Sequence, residues 1–421
     1  MTDAVVAAVV FLVTYALIAT DRIDKTVAAL GGGLLMVVLG VVPQEAAFEA
    51  IDLNVIFLLA GMMALAHVLG RTGFFALVGI RAAKLADGRP YLLMVLLATI
   101  TAVLSAFLDN VTTVVLLAPV TLYVATVLRV SPIPYLMALI FASNVGGTAT
   151  LVGDPPNILI GSASGLDFVA FLVNLAPVAI VCFGALLVLL RLLFHGRMDV
   201  DPRVREDLMA LDEAEVITDP RTMRLALVVI GGTILGFLVH RQLGLEAATV
   251  ALLGATVLLL VGRIEVAPVL REIEWPTLFF FVGLFILVEG IVETGWIDAA
   301  ANALLEATGG DPTVTVLAIL WFSGIASAIV DNIPYTAAMI PLVEGLGAQG
   351  IPLEPAWWAL ALGADLGGNG TIVGASANVV VANIAAKAGH PMTFRSFLAS
   401  GVVVVVTTLL ISTVYLWVRY L

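Results

Sequence analysis

The feature that most constrains this chain is a series of long apolar segments that recurs from its first residues to its last. The segments are continuous rather than alternating, and they are long enough to cross a bilayer as helices, so strands of a barrel are not indicated. Charged residues make up only 12% of the 421 residues and hydrophobic residues 61%, whereas about a quarter of a soluble chain is charged. The sequence therefore predicts an all-α polytopic membrane protein surrounded by the lipid bilayer.

The chain contains two related halves. A shift of 222 residues (283 minus 61) places Gly61 on Gly283 and Asp109-Asn110 on Asp331-Asn332. Further matched pairs, with one residue of slippage at the last, are Thr72-Gly73 with Thr294-Gly295, Ser105 with Ser327, Pro119 with Pro341, and Gly146-Gly147 with Gly367-Gly368. A chance alignment would not keep one offset over so many polar positions. We predict an N-terminal repeat over residues 1–197, a cytoplasmic linker over 198–222 and a C-terminal repeat over 223–421.

The distribution of basic residues predicts the orientation of the chain, because Lys and Arg accumulate on the cytoplasmic side. If segments 91–128 and 313–346 are re-entrant hairpins, all but two of the 19 basic residues, Arg241 and Arg419, lie inside. If segment 91–128 instead crossed the membrane completely, the basic clusters that follow it would lie alternately on the two sides of the membrane. We therefore expect an inverted repeat with five transmembrane helices and one re-entrant hairpin in each half. We expect it in the cell inner (plasma) membrane, multi-pass, with both termini outside.

Several classes of protein are not expected. The formal net charge is −12 and no basic block is present, so a nucleic acid is not expected as a partner. The lone Cys182 excludes an internal disulfide framework and a site with several thiolates. No His-rich metal cluster, Ser/His/Asp arrangement or phosphate-binding loop is apparent. We expect no enzyme, cofactor or metal, although a separate ATPase subunit could associate with the chain.

Acidic residues interrupt the apolar segments at two equivalent places. Asp109-Asn110, followed by Thr112, lies between two apolar runs, as does Asp331-Asn332-Ile333-Pro334 in the second half. A charged residue at membrane depth is unfavourable unless it faces a wet cavity, a partner or an ion. Pro334 suits the first turn of a restarting helix. These residues are expected at the hairpin tips, and paired broken segments of this kind are typical of secondary transporters.

A second pair of interruptions lies at Asn144–Asn157 and Asp365–Asn378. Their glycines and prolines prevent a continuous helix, so unwound backbone and a restarting helix would offer carbonyl and N–H groups. Asp154-Pro-Pro in the first half is replaced by Ala375-Ser376-Ala377 in the second, and we expect unequal sites. The substrate- or ion-binding residues predicted from the four breaks are Asp109, Asn110, Thr112, Asn144, Thr148, Thr150, Asp154, Asn157, Asp331, Asn332, Asp365, Asn369, Thr371, Ser376 and Asn378.

The segments that carry these breaks lack basic residues. No Lys or Arg occurs over 91–128, 313–346 or 356–386. We therefore expect an acidic, polar site without a fixed cation. Such a site suits protons, sodium or a neutral hydroxylated solute better than a dicarboxylate.

These motifs resemble the ion transporter superfamily, in the branch that holds ArsB-type arsenite permeases, NhaD-type sodium/proton antiporters, citrate-transporter-like domains and the melanosomal P protein. The residues that carry the resemblance are Phe107-Leu-Asp-Asn-Val-Thr-Thr113, Asn144-Val-Gly-Gly-Thr-Ala-Thr150, Gly153-Asp-Pro-Pro-Asn157 and Asp331-Asn-Ile-Pro334. The resemblance implies a homodimer in which a scaffold holds a moving, elevator-type subdomain with both hairpins. Related divalent-anion/sodium symporters carry Ser-Asn-Thr at the tips. Replacement of the serine by an acid disfavours sodium-coupled dicarboxylate uptake.

From the resemblance and the acidic residues we predict a secondary active transporter of a small inorganic solute or ion, which exports arsenite or antimonite in exchange for protons. Burial can shift a carboxyl pKa enough for proton binding and release. The proton-coupling candidates are Asp109, Asp331 and Asp154, and the alternative coupling ion is sodium, bound at the hairpin tips. A sodium/proton antiporter, a sodium-coupled anion transporter and, in a different class, an anion channel like the P protein remain alternatives.

Overall fold

The computed structural model describes residues 2–20, 22–194, 209, 213 and 215–421, and the regular structure of this part of the chain is helical, without strands. The predicted all-α fold is confirmed. Among the described residues, nine helical segments are long and apolar enough to cross a membrane, which supports a multi-pass membrane protein. Three apolar helices are shorter: Lys25–Val38, Ile133–Gly147 and Ala247–Gly262. Since length does not decide which helices cross, the ten spans, the re-entrant hairpins and the orientation stay predictions.

The structure describes ten helices over residues 2–194. They are α1 (Thr2–Thr20), α2 (Lys25–Val38), α3 (Gln44–Glu49), α4 (Leu53–Arg71), α5 (Phe74–Ala86), α6 (Pro90–Leu108), α7 (Asn110–Val127), α8 (Ile133–Gly147), α9 (Pro155–Ser164) and α10 (Phe168–Phe194).

The described residues from 220 onward repeat that order. The helices are α11 (Pro220–Val239), α12 (Ala247–Gly262), α13 (Val266–Arg271), α14 (Trp275–Glu293), α15 (Trp296–Thr308), α16 (Pro312–Ile329), α17 (Asn332–Ala348), α18 (Leu353–Gly367), α19 (Ser376–Lys387) and α20 (Phe394–Tyr420). Equivalent helices have equal or nearly equal lengths; α4 and α14 each have 19 residues, α5 and α15 have 13, and α10 and α20 have 27. The repeat in the sequence is thus a repeat of the whole helical order.

Local sequence decides where several of these helices begin. The carboxylate of Asp24 accepts hydrogen bonds from the first-turn N–H groups of α2, and that of Asp52 does the same for α4. Such an N-cap satisfies N–H groups that lack a partner within the helix. The repeated Thr-Gly pair has a backbone role, because Gly73 and Gly295 precede α5 and α15 with φ of 84° and 74°. This left-handed conformation favours glycine.

The two halves interlock rather than lie side by side. Helix α2 packs against α14 of the other half, and α4 packs against α12. Glycines permit this close approach, since a Cβ added at Gly61 would lie 2.8 Å from the carbonyl carbon of Ala251. A Cβ at Gly283 would lie 2.5 Å from the carbonyl carbon of Ala29. Each half therefore buries a surface that the other half supplies.

The four helix breaks are brought together by packing across the halves. Helix α19 packs against α7, and α17 packs against α9, while α6 and α16 pack against α8 and α18 of their own halves. The helix pairs α6–α7 and α16–α17 cover residues 90–127 and 312–348, close to the segments predicted as hairpins. The restarting helices α9 and α19 thus meet α17 and α7, the helices that follow the Asp-Asn break of the other half.

Most of the predicted linker, residues 198–222, lies outside the described residues. Helix α10 ends at Phe194 and α11 begins at Pro220, with Asp219 as its N-cap. Thr218 donates a hydrogen bond to the carbonyl oxygen of Arg71 at 2.6 Å. The hydrogen bond from Arg81 (2.8 Å), together with the charge of Lys84, holds the pKa of Glu213 below its usual range. The described end of the linker therefore lies against the junction of α4 and α5.

Candidate functional site

Two aspartates lie at the breaks between paired helices and cap the helices that follow. Oδ1 of Asp109 accepts a hydrogen bond from the N–H of Thr112 at 2.9 Å, and Oδ1 of Asp331 accepts one from the N–H of Ile333 at 3.1 Å. Their backbones differ. Asp109 has φ 119° and ψ 153°, a region in which glycine is normally found, whereas Asp331 has φ −47°. We call the breaks at Asp109 and Asp331 the first and the second tip; they are alike in sequence but unlike in conformation.

Asp154 joins the two tips. It is fully buried at the N-terminus of α9. Its Oδ2 accepts a hydrogen bond from Nδ2 of Asn110 at 2.6 Å, and its Oδ1 accepts one from Nδ2 of Asn332 at 3.2 Å. The asparagine that follows each tip aspartate thus binds the same carboxylate, one from each half.

A chain of buried asparagines extends from this carboxylate. Nδ2 of Asn110 also donates to Oδ1 of Asn144 at 3.2 Å. Nδ2 of Asn144 in turn donates to Oδ1 of Asn369 at 3.0 Å and to Oδ1 of Asn378 at 3.1 Å. We call the set the central polar network; it consists of Asn110, Asn144, Asp154, Asn332, Asn369 and Asn378. Every member is at most 2% exposed. The network connects breaks of both halves at the centre of the protein.

Two equivalent asparagines hold the break loops in shape. Nδ2 of Asn157 donates to the carbonyl oxygens of Thr148 and Thr150 at 3.3 and 3.0 Å. Nδ2 of Asn378 donates to those of Gly368 and Thr371 at 2.7 and 2.8 Å. The loop carbonyls at both breaks are therefore satisfied by a side chain of the restarting helix.

Threonine hydroxyls tie the same loops to the helices before the tips. Thr150 donates to the carbonyl oxygen of Ala106 in α6. Thr371 donates to that of Ala328 in α16 at 2.6 Å. Each break loop is thus fastened to the helix pair of its own half. Thr148 donates to the carbonyl oxygen of Asn144 at 2.8 Å, so the hydroxyl protons of these three predicted site residues are already engaged.

Several buried polar atoms of the predicted site form no hydrogen bond within the part of the chain that the structure describes. They are both carboxylate oxygens of Asp365, Oδ2 of Asp109, Oδ1 of Asn110, Oδ1 of Asn157 and Nδ2 of Asn369. Buried polar groups are generally hydrogen-bonded. Such a concentration of unpaired acceptors, with one donor, favours binding of a small solute or an ion here.

A fixed cation lies at the second tip, so the prediction of a site without one is wrong. Nζ of Lys25 lies 3.2 Å from Oδ2 of Asp331 and 2.6 Å from Oγ of Ser376. Ser376 in turn donates to Oδ2 of Asp331 at 2.6 Å. The prediction considered only segments that contain breaks, whereas Lys25 reaches the tip from α2. One signal was available, because a lysine in the first turn of a helix is unfavourable for the helix dipole and so indicates a partner elsewhere.

A cavity of about 220 Å³ adjoins this cluster. It lies between α1–α2 and the second tip, and its lining includes Asp24, Lys25, Ile329, Asp331 and Ser376. The cluster is therefore within reach of a small solute.

Sequence reasoning also missed contacts that hold the site. Ser105 donates to the carbonyl oxygen of Ser143 at 2.7 Å, and its counterpart Ser327 donates to that of Ala364 at 2.5 Å. The alignment of the two halves had already paired these two serines. Tyr15, which donates to the carbonyl oxygen of Pro334 at 2.6 Å, had no comparable signal.

A family model described as "Citrate transporter" matches residues 15–363. The chain belongs to the citrate transporter (CitMHS) family. The predicted resemblance is thereby confirmed. Similarity to individual proteins extends over nearly the full length of the chain. A "46 kDa membrane protein" of Mycobacterium leprae is 45% identical over 425 residues, which cover 99% of each chain. An "uncharacterized transporter" of Mycobacterium tuberculosis is 45% identical over 423 residues, 99% of this chain and 98% of the relative.

Two further comparisons place the CitMHS chain in a wider group. The human P protein is 32% identical over 508 residues, which cover all of this chain and 60% of the P protein. The crystal structure of the YdaH transporter of Alcanivorax borkumensis, described as having an unusual topology, superposes with a TM-score of 0.63 at 16% identity over 99% of this chain and 98% of that one. The last comparison shows a shared fold. Together with the apolar helices, the family makes the chain a multi-pass membrane transporter.

Proposed function

We propose that this CitMHS protein is a secondary active transporter in which proton exchange at buried aspartates drives efflux of a small hydroxylated solute, with arsenite or antimonite as the first candidate. The observation that carries the proposal is the bridge at Asp154, which binds Asn110 and Asn332 from the two halves. Protonation of this carboxylate would weaken its hydrogen bonds to both tips together. A proton could thus alter both helix breaks in one step.

The unpaired atoms of the site suit a neutral trihydroxide. Its hydroxyl groups can donate to the carboxylate of Asp365 and to Oδ1 of Asn157, and can accept from Nδ2 of Asn369, atoms that form no hydrogen bond within the described chain. Binding through three thiolates is excluded by composition, because Cys182 is the one cysteine.

Alternating access would follow from movement of the tips and break loops as one body. The hydrogen bonds of Thr150 and Thr371 fasten each loop to its helix pair, so these parts would travel together. The contacts of Lys25 with Asp331 and of Tyr15 with Pro334 link that body to α1 and α2. In an elevator-type movement the Tyr15 contact would break and re-form once per cycle.

A second candidate, transport of a carboxylate or other oxyanion, is favoured by Lys25. The ammonium group lines the cavity of about 220 Å³, and a primary ammonium binds carboxylates and oxyanions. The family description also names citrate. For an anion to bind there, Asp331 would have to release Lys25.

The test is transport by purified protein in proteoliposomes under an imposed proton gradient, with arsenite, sodium and citrate offered separately. We expect saturable, gradient-driven movement of arsenite, and loss of the gradient dependence in Asp154→Asn. The matched control is Asp298→Asn, which changes an exposed acid of α15 and should behave like the wild type.

Each alternative gives a different result in the same assay. Proton-driven movement of sodium without arsenite would establish an antiporter and overturn the proposed solute. Citrate movement without arsenite would select the second candidate. Flux that does not saturate and ignores the gradient would indicate a channel and overturn coupled transport altogether.

A further inference from the structure

The two tips carry the same Asp-Asn pair but differ in what reaches the second carboxylate oxygen. Oδ2 of Asp331 is contacted by the ammonium of Lys25 at 3.2 Å and by the hydroxyl of Ser376 at 2.6 Å. Oδ2 of Asp109 is buried and accepts no hydrogen bond from any described residue. One tip thus has a built-in positive charge, whereas the other has the side chain of Thr112 close to its carboxylate and no basic residue acting on it among the described residues.

The difference between the two tips follows from unequal residues at equivalent positions of the repeat. The shift of 222 residues places Lys25 on Ala247, and the shift of 221 places Ser376 on Pro155. Both groups that reach Asp331 are therefore missing at the equivalent positions around Asp109. The acid at the two tips is retained while its partners are present at one tip alone.

The charge balance at the first tip needs an external cation. The residue Asp109 is 4% exposed, and an ionised carboxylate is very unfavourable in such a place without a positive partner. Within the described chain, the charged residue that acts on it is an acid, Glu274. Asp109 also keeps an unfavourable backbone conformation, and such strain concentrates at functional sites.

We propose that Lys25 is a resident cation that fills the coupling-ion position at the second tip, so that of the two tip aspartates Asp109 alone binds an exchangeable monovalent cation. This inference rests on the proposed coupled transport and holds for either a proton or sodium. The ammonium of Lys25 supplies at Asp331 the charge that a mobile cation supplies at Asp109. The two tip carboxylates then exchange a single cation per cycle, separately from the proton proposed to act at Asp154.

The test counts cations on the purified full-length protein in detergent, without solute. Sodium binding is measured by equilibrium binding of labelled sodium, and proton release or uptake by a pH indicator. The tips of the wild type should bind about one cation, and those of Lys25→Met, which keeps the side-chain length but removes the charge, should bind about two. The double variant Lys25→Met with Asp331→Asn should return to about one, and Asp109→Asn should bind none at the tips.

Two further variants keep the result interpretable. Lys25→Arg retains the positive charge and should keep the wild-type cation count, and Lys387→Met, an exposed lysine at the end of α19, is the matched control for loss of a lysine. The elution profile in size-exclusion chromatography and the thermal unfolding curve separate loss of folding from loss of binding.

Two results would overturn the inference: an unchanged cation count in folded Lys25→Met, or an unchanged count in Asp109→Asn. Failure of the proposed function looks different. In that case no solute moves under a gradient in proteoliposomes, while the cation counts still follow the predicted series. Conversely, gradient-driven solute transport by a wild type whose tips bind two cations would overturn the inference alone.

Discussion

At the scale of single residues, the chemistry of this site lies where the two halves differ. Asp154 corresponds to Ala375, Asp365 to Asn144, and Lys25 to Ala247. In each pair one member carries a charge and the other does not. The repeat thus supplies a symmetric frame, and a few unequal residues decide which carboxylate is bridged and which is paired with an ammonium.

The backbone of Asp109 leads to a prediction at this scale. Its φ of 119° and ψ of 153° lie in a region that is open mainly to glycine, and such strain amounts to about 1–3 kcal/mol. Asp109→Gly and Asp109→Ala both remove the cap on α7, but the glycine variant alone relieves the strain. We expect Asp109→Gly to be more stable than Asp109→Ala by about 1–3 kcal/mol in unfolding experiments, and both to lose cation-coupled transport.

Asp331→Gly and Asp331→Ala are the matched pair, because φ of Asp331 is −47°. Here the glycine variant should have no advantage. Equal stability of the two Asp109 variants would show that this aspartate is not strained.

At the scale of elements, the breaks after α8 and α18 depend on close contact between glycines. A Cβ at Gly147 would lie 2.6 Å from the carbonyl oxygen of Gly153, and a Cβ at Gly374 would lie 2.8 Å from that of Gly368. Each pair closes the loop between the end of one helix and the start of the next. The asparagine that binds the loop carbonyls can reach them only when the loop is closed in this way.

We therefore expect Gly147→Ala to open the first loop and to destabilise the protein by about 1–3 kcal/mol, the usual effect of overpacking. Transport by this variant should also fall, since the loop positions Asp154, which bridges Asn110 and Asn332. Gly184→Ala is the control, because this exposed glycine of α10 has no atom within 4 Å of the added Cβ. Replacement of a glycine within a helix should raise stability by up to about 1 kcal/mol. Thermal unfolding in detergent measures both. Equal stability of Gly147→Ala and the control would contradict the predicted overpacking of the loop.

At the scale of the whole molecule, the halves depend on one another for their packing. Helix α2 packs against α14, α4 against α12, and α19 against α7. The central polar network likewise takes Asn144 from one half and Asn369 and Asn378 from the other. Neither half has a complete site, because the donors and acceptors of the network come from both.

This interlocking predicts the behaviour of a chain divided within the linker. Co-expressed fragments that end and begin within residues 198–217 should co-purify and retain transport, since helices α1 to α20 are all intact. Each fragment expressed alone should aggregate or be degraded, because the faces of α2 and α4 that meet the other half would be uncovered. Co-purification in detergent and transport in proteoliposomes measure the outcome. A single half that is stable and monodisperse would contradict the interlocked arrangement.

The sequence by itself determined the class of fold and the places where helices break. Apolar runs and their interruptions are local properties, so the helix pairs at 90–127 and 312–348 and the loops after α8 and α18 could be predicted from residue order. The repeat was visible for the same reason, since equivalent helices keep equivalent polar residues. The superfamily also followed from these motifs.

The tertiary structure alone decided which of these residues meet. The bridge from Asn332 to Asp154 spans 178 positions of the chain, and the bond from Lys25 to Asp331 spans 306. Such contacts depend on how the halves interlock, and no local pattern encodes that packing. The sequence placed four carboxylates at breaks. Packing made Asp154 a bridge, paired Asp331 with a lysine, and left the buried Oδ2 of Asp109 without a hydrogen-bond partner among the described residues.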